Sequence, residues 1–247
     1  TTIANDAFRS CDSLMSVTIP DNVTNIANDA FAYCKSLISA SIGNGVKTIG
    51  SYAFYNCTNL KTVKIPSGMS TAQGIVSNFA GVGQYAFANC TKLTSISFPS
   101  SLQLLDSHCF ENSGISSIAL YNSLTILGEY AFANCDNLLG LNLRSLTLLT
   151  TIEEGTFKDC DNLQYAILSD YVTEVKQSAF ESCDDLLYVN FGATAASVLI
   201  KIGDRALADC SSLRKIVVSA ALKNDTPVVF GNEVFANTGY TLEDGIF

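Results

Sequence analysis

Apolar residues recur along this chain in one pattern that repeats about every 23 residues. The pattern begins at an aromatic marker residue, continues to a leucine and then reaches two alternating apolar positions, as in Phe8, Leu14, Val17 and Ile19. Such regular self-similarity predicts an array of structural units that stack on their neighbours. The markers, nine phenylalanines and one leucine, are Phe8, Phe31, Phe54, Phe87, Phe110, Phe132, Phe157, Phe180, Leu207 and Phe235.

Each copy predicts two strands. Alternation at the end of the pattern, with Val17 inward, Thr18 outward and Ile19 inward, is typical of a strand. The proline that follows several copies has no N–H and ends the ladder. A second apolar pair, such as Val23 and Ile26, predicts a shorter strand on the other side. The segment from there to the marker fits a short helical turn that buries alanine and phenylalanine.

Because one copy cannot cover its own apolar side, the copies must stack. A period near 23 lies within the range of leucine-rich repeats. The sequence therefore predicts a right-handed repeat solenoid with a parallel sheet, short second strands and short helical turns. Residues 1–247 form a single array of about ten partial or complete copies, with an insertion at 67–80. The array opens and closes inside a copy, which predicts that it is a fragment of a longer array.

The pattern L-x-x-V-x-I-P…V-x-x-I-x-x-x-A-F-x-x-C closely resembles the BspA-like leucine-rich repeats of bacterial and protist surface proteins. The resemblance covers nearly the whole chain, apart from the insertion and stretched copies near 192–201 and 219–232. It implies a non-enzymatic surface or secreted scaffold, often in adhesion to host protein or to other cells. It also implies an extracellular or cell-surface location, but it carries over no fixed catalytic or binding residues.

Composition narrows the classes of function. Apolar residues make up 48% of the chain and charged residues only 15%, which is ample material for a long buried core. The net charge of −9 disfavours duplex nucleic acid and anionic membrane surfaces, because both need a basic protein face. No run approaches the ~18 apolar residues of a membrane span. We expect neither nucleic-acid binding nor membrane insertion in this segment.

The cysteines and the single histidine offer little chemistry. Eight of the nine cysteines lie three residues after a marker, and the ninth is Cys109. We expect buried free thiols, because zinc sites need close ligand pairs and a ladder of identical side-chain directions gives poor disulfide geometry. His108 adjoins Cys109, but a nucleophile pair needs converging side chains, and adjacent residues usually diverge. The sequence predicts no catalytic residue, no cofactor and no enzyme activity.

Asp136, Asp161 and Asp184 occupy the same position in three successive copies. Stacking would bring their carboxylates to about 5 Å from one another, and a bound Ca²⁺ would relieve the repulsion. Aspartate and asparagine also cap the backbone of turns, and other copies carry serine, threonine or lysine here. Turn capping is therefore the expectation, and no metal site is predicted.

The outward strand positions supply the candidate binding surface. The first half of the chain presents mostly serine and threonine there, whereas the second half presents two tyrosines with apolar neighbours. Tyrosine suits protein interfaces, although strand surfaces favour Thr, Tyr and Val in any case. The candidate partner-binding residues on this face are Tyr165, Ile167, Tyr188, Asn190, Lys215 and Val217.

The insertion at 67–80 carries no charge and places apolar residues where the repeat does not require them. It is either a docking loop or a loop folded back on the core. The strand face alone offers roughly 500 Å², against ~800 Å² per partner in a standard interface, so loops must contribute to binding. The candidate residues of the insertion are Met69, Ile75, Val76 and Phe79.

The leading hypothesis is a protein-interaction or adhesion scaffold that binds a protein ligand through the strand face and the 67–80 loop. The alternative is a structural component of a larger multiprotein assembly, in which partners cover the open strand edges. A further alternative is that the serine and threonine field binds an ordered surface such as a glycan or ice. Its irregular spacing along the sequence and the presence of Lys64 count against that alternative.

Overall fold

The computed structural model describes residues 1–67, 69, 81–192, 198–218 and 228–240. Short parallel strands stack into a solenoid of about 9 turns. The longer strands are β2 (Ser16–Ile19), β4 (Ser39–Ile42), β6 (Thr62–Lys64), β8 (Ser95–Ser97), β11 (Gly140–Asn142), β13 (Tyr165–Ile167), β15 (Tyr188–Asn190) and β17 (Lys215–Val217). The two-residue strands are β1 (Thr2–Ile3), β3 (Asn25–Ile26), β5 (Thr48–Ile49), β7 (Gly81–Val82), β9 (Leu104–Leu105), β10 (Ile126–Leu127), β12 (Thr151–Ile152), β14 (Glu174–Val175), β16 (Lys201–Ile202) and β18 (Val229–Phe230).

The copies stack in register, so that inward positions always meet inward positions. Val17 pairs with Ala40 and Ala40 with Val63, for example. The eight marker phenylalanines from Phe8 to Phe180 form one column of parallel rings, with neighbouring centroids 5.0–5.8 Å apart. Offset stacks of this kind stabilise a core beyond the area that they bury. The predicted parallel sheets and second strands are confirmed.

The segment around each marker forms turns, and the described residues contain no helix. Around Phe31, for instance, Asp29 has a φ of 57° and Tyr33 a φ of 62°. A left-handed residue two positions before and two positions after every marker cannot continue a right-handed helix. The predicted short helical turns are therefore present as turns but do not form helices.

This alternating backbone supplies a third line of contacts between copies. The N–H groups of Asp29, Phe31 and Tyr33 donate to carbonyls of the next copy at 2.7–2.9 Å. The cysteines lie in the same layer, and all are free and buried except the half-buried Cys11. The thiol of Cys57 donates to the carbonyl of Phe31 at 3.1 Å, and six other cysteines repeat this contact at 3.0–3.2 Å. The expectation of buried free thiols is confirmed.

Both strand ladders are interrupted in the middle of the chain. The longer strands form two separate sheets, β2-β4-β6-β8 and β11-β13-β15-β17. The short strands likewise divide into β1-β3-β5-β7-β9-β10 and β12-β14-β16-β18. The copy after Phe110 is one residue short before its strand position, and the next copy is two residues longer than the usual period. These two length changes coincide with the two breaks, which lie at neighbouring steps. The pair β9–β10 bridges the first break and the pair β11–β13 bridges the second, whereas the turn layer and the phenyl column run through both without interruption.

Candidate interaction surface

The sheet β11-β13-β15-β17 brings most of the predicted partner-binding residues together, and we call its outward side the tyrosine face. Gly140, Tyr165, Tyr188 and Lys215 align as one row across the four strands. Tyr165 is 43% exposed, and its ring lies across Gly140, where an added Cβ would come within 2.3 Å of the ring. The absence of a side chain at Gly140 therefore allows Tyr165 to lie down on the sheet.

Tyr188 is the second ring of this face and is half-buried. The Nζ atom of Lys215 lies 5.9 Å from the centroid of its ring, at the outer limit of a cation–π contact. Its hydroxyl oxygen accepts a hydrogen bond from Nδ2 of Asn190 at 3.0 Å. The ring is thereby fixed from two sides, which lowers the entropy that a partner would have to remove on binding.

The second row of the tyrosine face differs from the expectation at one position. Ile167 and Val217 are half-exposed, as a contact surface requires, but Asn190 is only 3% exposed. Oδ1 of Asn190 accepts the N–H of Gly192 at 2.9 Å while its Nδ2 holds Tyr188. Its short amide bonds to local groups instead of projecting, so the prediction of Asn190 as an outward contact is corrected to a residue that positions Tyr188.

Met69, the first candidate of the 67–80 insertion, is fully buried and belongs to the core. A partner cannot reach this side chain, so its placement as an accessible docking residue is corrected to an anchor of the insertion. Ile75, Val76 and Phe79 lie outside the described residues.

One surface feature was missed from the sequence. Tyr52, Tyr85, His108 and Tyr130 stack along the turn layer, with neighbouring centroids 4.3–5.1 Å apart and interplanar angles of 6–12°. All four are half-buried. The available signal was an aromatic residue two positions before the marker in four successive copies. Because these rings cover one another's faces, the row holds copies together across the break in the ladders.

His108 and Cys109 diverge, as expected for neighbours. Nδ1 of His108 lies 3.0 Å from Oε2 of Glu111 at the surface, within the aromatic row. Cys109 is fully buried, and its Sγ faces the carbonyl of Ala131 at 3.9 Å. Burial raises the pKa of the Cys109 thiol well above its ordinary value, which holds it protonated. The two side chains do not form a nucleophile pair.

The aspartate ladder behaves as a turn feature. Partial burial, followed by neighbouring carboxylates, raises the pKa of Asp161, and the same causes act on Asp136. Nδ2 of Asn162 donates to the carbonyl of Asp136 at 2.6 Å, which links the turns of neighbouring copies. In the part of the chain that the structure describes, no group of three or more His, Cys, Asp or Glu residues could hold a metal ion.

The geometry agrees with comparisons to known proteins. The family model for the BspA type leucine rich repeat region matches six times, over residues 1–75, 73–187 and 142–243. The chain therefore belongs to the BspA-type leucine-rich-repeat family. Comparison with curated proteins gives no match. No helix among the described residues is long and apolar enough to cross a membrane.

Two solved structures share the fold. A leucine-rich repeat protein from Bacteroides ovatus matches with a TM-score of 0.72 and 23% identity, over 90% of this chain and 61% of that chain. A leucine-rich repeat protein of T. pallidum matches with a TM-score of 0.62 and 23% identity, over 81% of this chain and 84% of that chain. At this identity the likeness shows the fold alone, and this chain spans 61% of the length of the Bacteroides ovatus protein.

Proposed function

We propose that the chain is a non-enzymatic protein-interaction or adhesion scaffold and that the tyrosine face contacts the partner. One observation carries the proposal. The fold places Tyr165 and Tyr188 side by side in one row, and the exposed ring of Tyr165 lies flat enough to cover Gly140. Rigid tyrosines with a polar end bury large area at low entropic cost. Family membership supports the scaffold role, since leucine-rich-repeat proteins generally bind proteins.

The proposal includes a surface or secreted location, which the family resemblance supports. It also includes a contribution from the 67–80 insertion, with Met69 as its buried anchor and Ile75, Val76 and Phe79 as partner contacts. A structural role in a larger assembly stays the alternative, because the same face could be covered permanently by a neighbouring subunit.

The test is affinity capture with chemical cross-linking from the source material, using wild type and the double variant Tyr165→Ala/Tyr188→Ala. We expect the wild type to capture a partner and the variant to lose it, because interface tyrosines are often hot spots worth ≥2 kcal/mol. The matched control is Tyr121→Ala/Tyr171→Ala, which removes two tyrosines of similar exposure, 46% and 49%, outside the longer strands.

Each outcome separates the contributions. Loss of capture in both double variants would point to general destabilisation, which circular dichroism would reveal. Capture that survives Tyr165→Ala/Tyr188→Ala but is lost in Ile75→Ser/Val76→Ser/Phe79→Ser would move the contact to the insertion. Capture that survives all three variants would refute the proposed surface and favour the structural alternative.

A further inference from the structure

The other long-strand sheet presents an ordered field of hydroxyl groups. In sequence these residues are irregularly spaced, but the strand register aligns them into two straight rows. The rows repeat at the strand spacing of about 4.8 Å. The first row is Ser16, Ser39, Thr62 and Ser95, and the second row is Thr18, Ser41, Lys64 and Ser97.

The two rows line a groove of about 600 Å³, and we call it the hydroxyl groove. Between the rows, the side chains of the middle strand positions, such as Ala40 and Val63, point inward and are buried. Binding sites for small ligands usually enclose roughly 300–1,000 Å³, so the groove has room for a ligand of several rings. Its lining contains no aromatic side chain and no carboxylate.

The hydroxyl groups of the groove are available to a ligand. None of the seven makes a hydrogen bond to any described part of the chain. Hydroxyls elsewhere behave differently: Oγ of Ser123 donates to the carbonyl of Leu102 at 2.7 Å, and Oγ1 of Thr173 donates to the carbonyl of Thr150 at 3.0 Å. The groove thus displays donors and acceptors that the fold does not use.

The half of the chain that forms the hydroxyl groove is not acidic, although the whole chain has a net charge of −9, and this favours an anionic ligand. Residues 1–110 contain six Lys or Arg residues and five Asp or Glu residues, which gives a formal charge of +1. Residues 111–247 contain eight Lys or Arg residues and eighteen Asp or Glu residues, which gives a formal charge of −10. Lys64 lies within the second row, is exposed, and makes no ion pair with the described residues. Lys61, one residue before β6, is exposed as well. The acidity of the protein therefore belongs to its other half.

We propose that the hydroxyl groove binds an extended anionic oligosaccharide that lies across the four strands. A sugar chain offers a regular series of hydroxyl groups, and one sugar unit is similar in length to one step of the rows. The single cation of the rows, Lys64, pairs with a carboxylate or sulfate on one sugar. Each exposed hydrogen bond contributes little against water, so recognition requires several sugar units at once.

This ligand differs in class from the protein partner proposed for the tyrosine face, and the two surfaces lie on separate sheets. The glycan ligand is thus independent of that proposal. A protein ligand is the competing occupant of the groove, and the absence of aromatic side chains and of arginine from the lining makes it the poorer fit.

Isothermal titration calorimetry with three hexasaccharides tests the proposal: a carboxylate-bearing oligogalacturonate, a sulfate-bearing heparin fragment and the neutral cellohexaose. We expect one or both acidic sugars to bind, and at least about tenfold more tightly than the neutral one, which corresponds to one charge-assisted contact. The first two arms distinguish carboxylate from sulfate. No measurable binding of any of the three would overturn the proposal and leave the groove to a protein ligand.

Variants locate the binding. Lys64→Gln should lose about tenfold in affinity for the acidic sugar and none for the neutral one, whereas Lys215→Gln removes a lysine from the other sheet and should change neither. Ser41→Trp fills the groove from an exposed position and should abolish binding. Thr62→Val keeps the side-chain shape and should lose a few fold.

The control for the tryptophan variant is Asn142→Trp, at the equivalent exposed strand position on β11. Circular dichroism and thermal melting confirm that both variants fold. Equal affinity of wild type and Ser41→Trp would refute the groove as the site. The partner capture through the tyrosine face should be unaffected by Ser41→Trp, so failure here is distinguishable from failure of the proposed function.

Discussion

The sheets β2-β4-β6-β8 and β11-β13-β15-β17 are built on the same repeat but present opposite chemistry to solvent. Their inward positions are interchangeable apolar residues, such as Val63 in the first and Val189 in the second, both almost fully buried. Their outward positions are hydroxyl groups around Lys64 in one case and tyrosines in the other. Stacking of the copies requires only the inward apolar residues. The outward residues can therefore vary between the two sheets and form different ligand-binding surfaces.

The turn layer shows the same contrast between the halves. In the first half it carries the aromatic row from Tyr52 to Tyr130. In the second half the positions of that row are Gly155, Ser178 and Arg205, and the turn layer carries ion pairs instead: Nζ of Lys158 and the guanidinium of Arg205 each lie 2.7 Å from an oxygen of Glu181. Two different interactions thus hold neighbouring copies together on one backbone. The comparison predicts two blocks that respond differently to substitution and to pH.

The largest effect is expected where the two blocks meet. Phe132 is fully buried and stacks between Phe110 and Phe157, between the break in the longer strands and the break in the short strands. Phe132→Ala should cost about 3–5 kcal/mol of unfolding free energy. Because one strand ladder instead of two bridges each step next to Phe132, β9–β10 on one side and β11–β13 on the other, the blocks should also uncouple. Urea unfolding followed by circular dichroism should change from one transition to two.

The control is Phe54→Ala, which removes the same side chain between Phe31 and Phe87 in the interior of the first block. It should cost a similar free energy without producing a second transition. If both variants unfold in one transition, the blocks are coupled more strongly than the interrupted ladders indicate. Native-state hydrogen exchange would then show uniform protection across the junction.

The second largest effect concerns Glu181 of the second block. Burial alone would raise its pKa, but hydrogen bonds from Lys158, Ser178 and Arg205 outweigh burial and hold the pKa at about 2. A lowered pKa stabilises the fold fully above the ordinary value of 4.5, and the stabilisation is lost as the pH falls from 4.5 towards 2. Glu181→Gln should cost about 1–3 kcal/mol at neutral pH and flatten this acid dependence.

The measurement is the free energy of unfolding between pH 2 and pH 6 for wild type and Glu181→Gln. Glu174→Gln is the matched control, because its partner Lys201 is 2.9 Å away but both side chains are more exposed than the 10% of Glu181, at 32% for Glu174 and 52% for Lys201. Exposed pairs contribute about 0–1 kcal/mol, so this variant should keep the acid dependence. An unchanged pH profile in Glu181→Gln would show that other carboxylates set the acid stability.

The sequence predicts the structural features that follow from the period of 23 residues. It does not predict the features that depend on a single side chain or on a change in the length of one copy. Stacking in register, the inward positions and the buried thiols all follow from repetition. The left-handed residues around each marker did not, because several of them, such as Tyr33, Tyr52 and Arg205, are unusual types for positive φ. Hydrogen bonds to the next copy stabilise that backbone, and such bonds exist only after stacking.

The candidate site was predictable to the same degree. Strand alternation placed Tyr165 and Tyr188 on the outward side correctly. It could not foresee that the amide of Asn190 bonds to the hydroxyl of Tyr188 and to the N–H of Gly192, since alternation gives a direction and no account of local hydrogen bonds. The regular rows of the hydroxyl groove were hidden for a related reason. The insertion at 67–80 makes the spacing irregular in sequence, but the register between β6 and β8 restores it in space.

A smaller effect is expected in the cysteine layer, which both blocks share. Ser113 takes the cysteine position in the copy that lies between the blocks, with its Oγ 3.4 Å from Sγ of Cys135. Serine is smaller and more polar than cysteine at this buried site. Ser113→Cys should therefore stabilise the protein by up to about 1 kcal/mol, and Cys57→Ser should cost about the same or slightly more. Thermal melting should show a higher melting temperature than wild type for Ser113→Cys and a lower one for Cys57→Ser. A stabilising Cys57→Ser would mean that the sulfur contributes no packing.

The smallest effect tests the tyrosine face directly. Gly140→Ala places a Cβ where the ring of Tyr165 now lies. The ring is the far end of a flexible side chain on the surface, so it should swing away at a stability cost below about 1 kcal/mol. Partner affinity should nevertheless fall, because the row from Tyr165 to Lys215 loses its flat end. Ser95→Ala, on the other sheet, is the control with the same Cβ group. If Gly140→Ala binds the partner like wild type, the position of the Tyr165 ring on the sheet does not matter, and only Tyr188 and its neighbours form the contact.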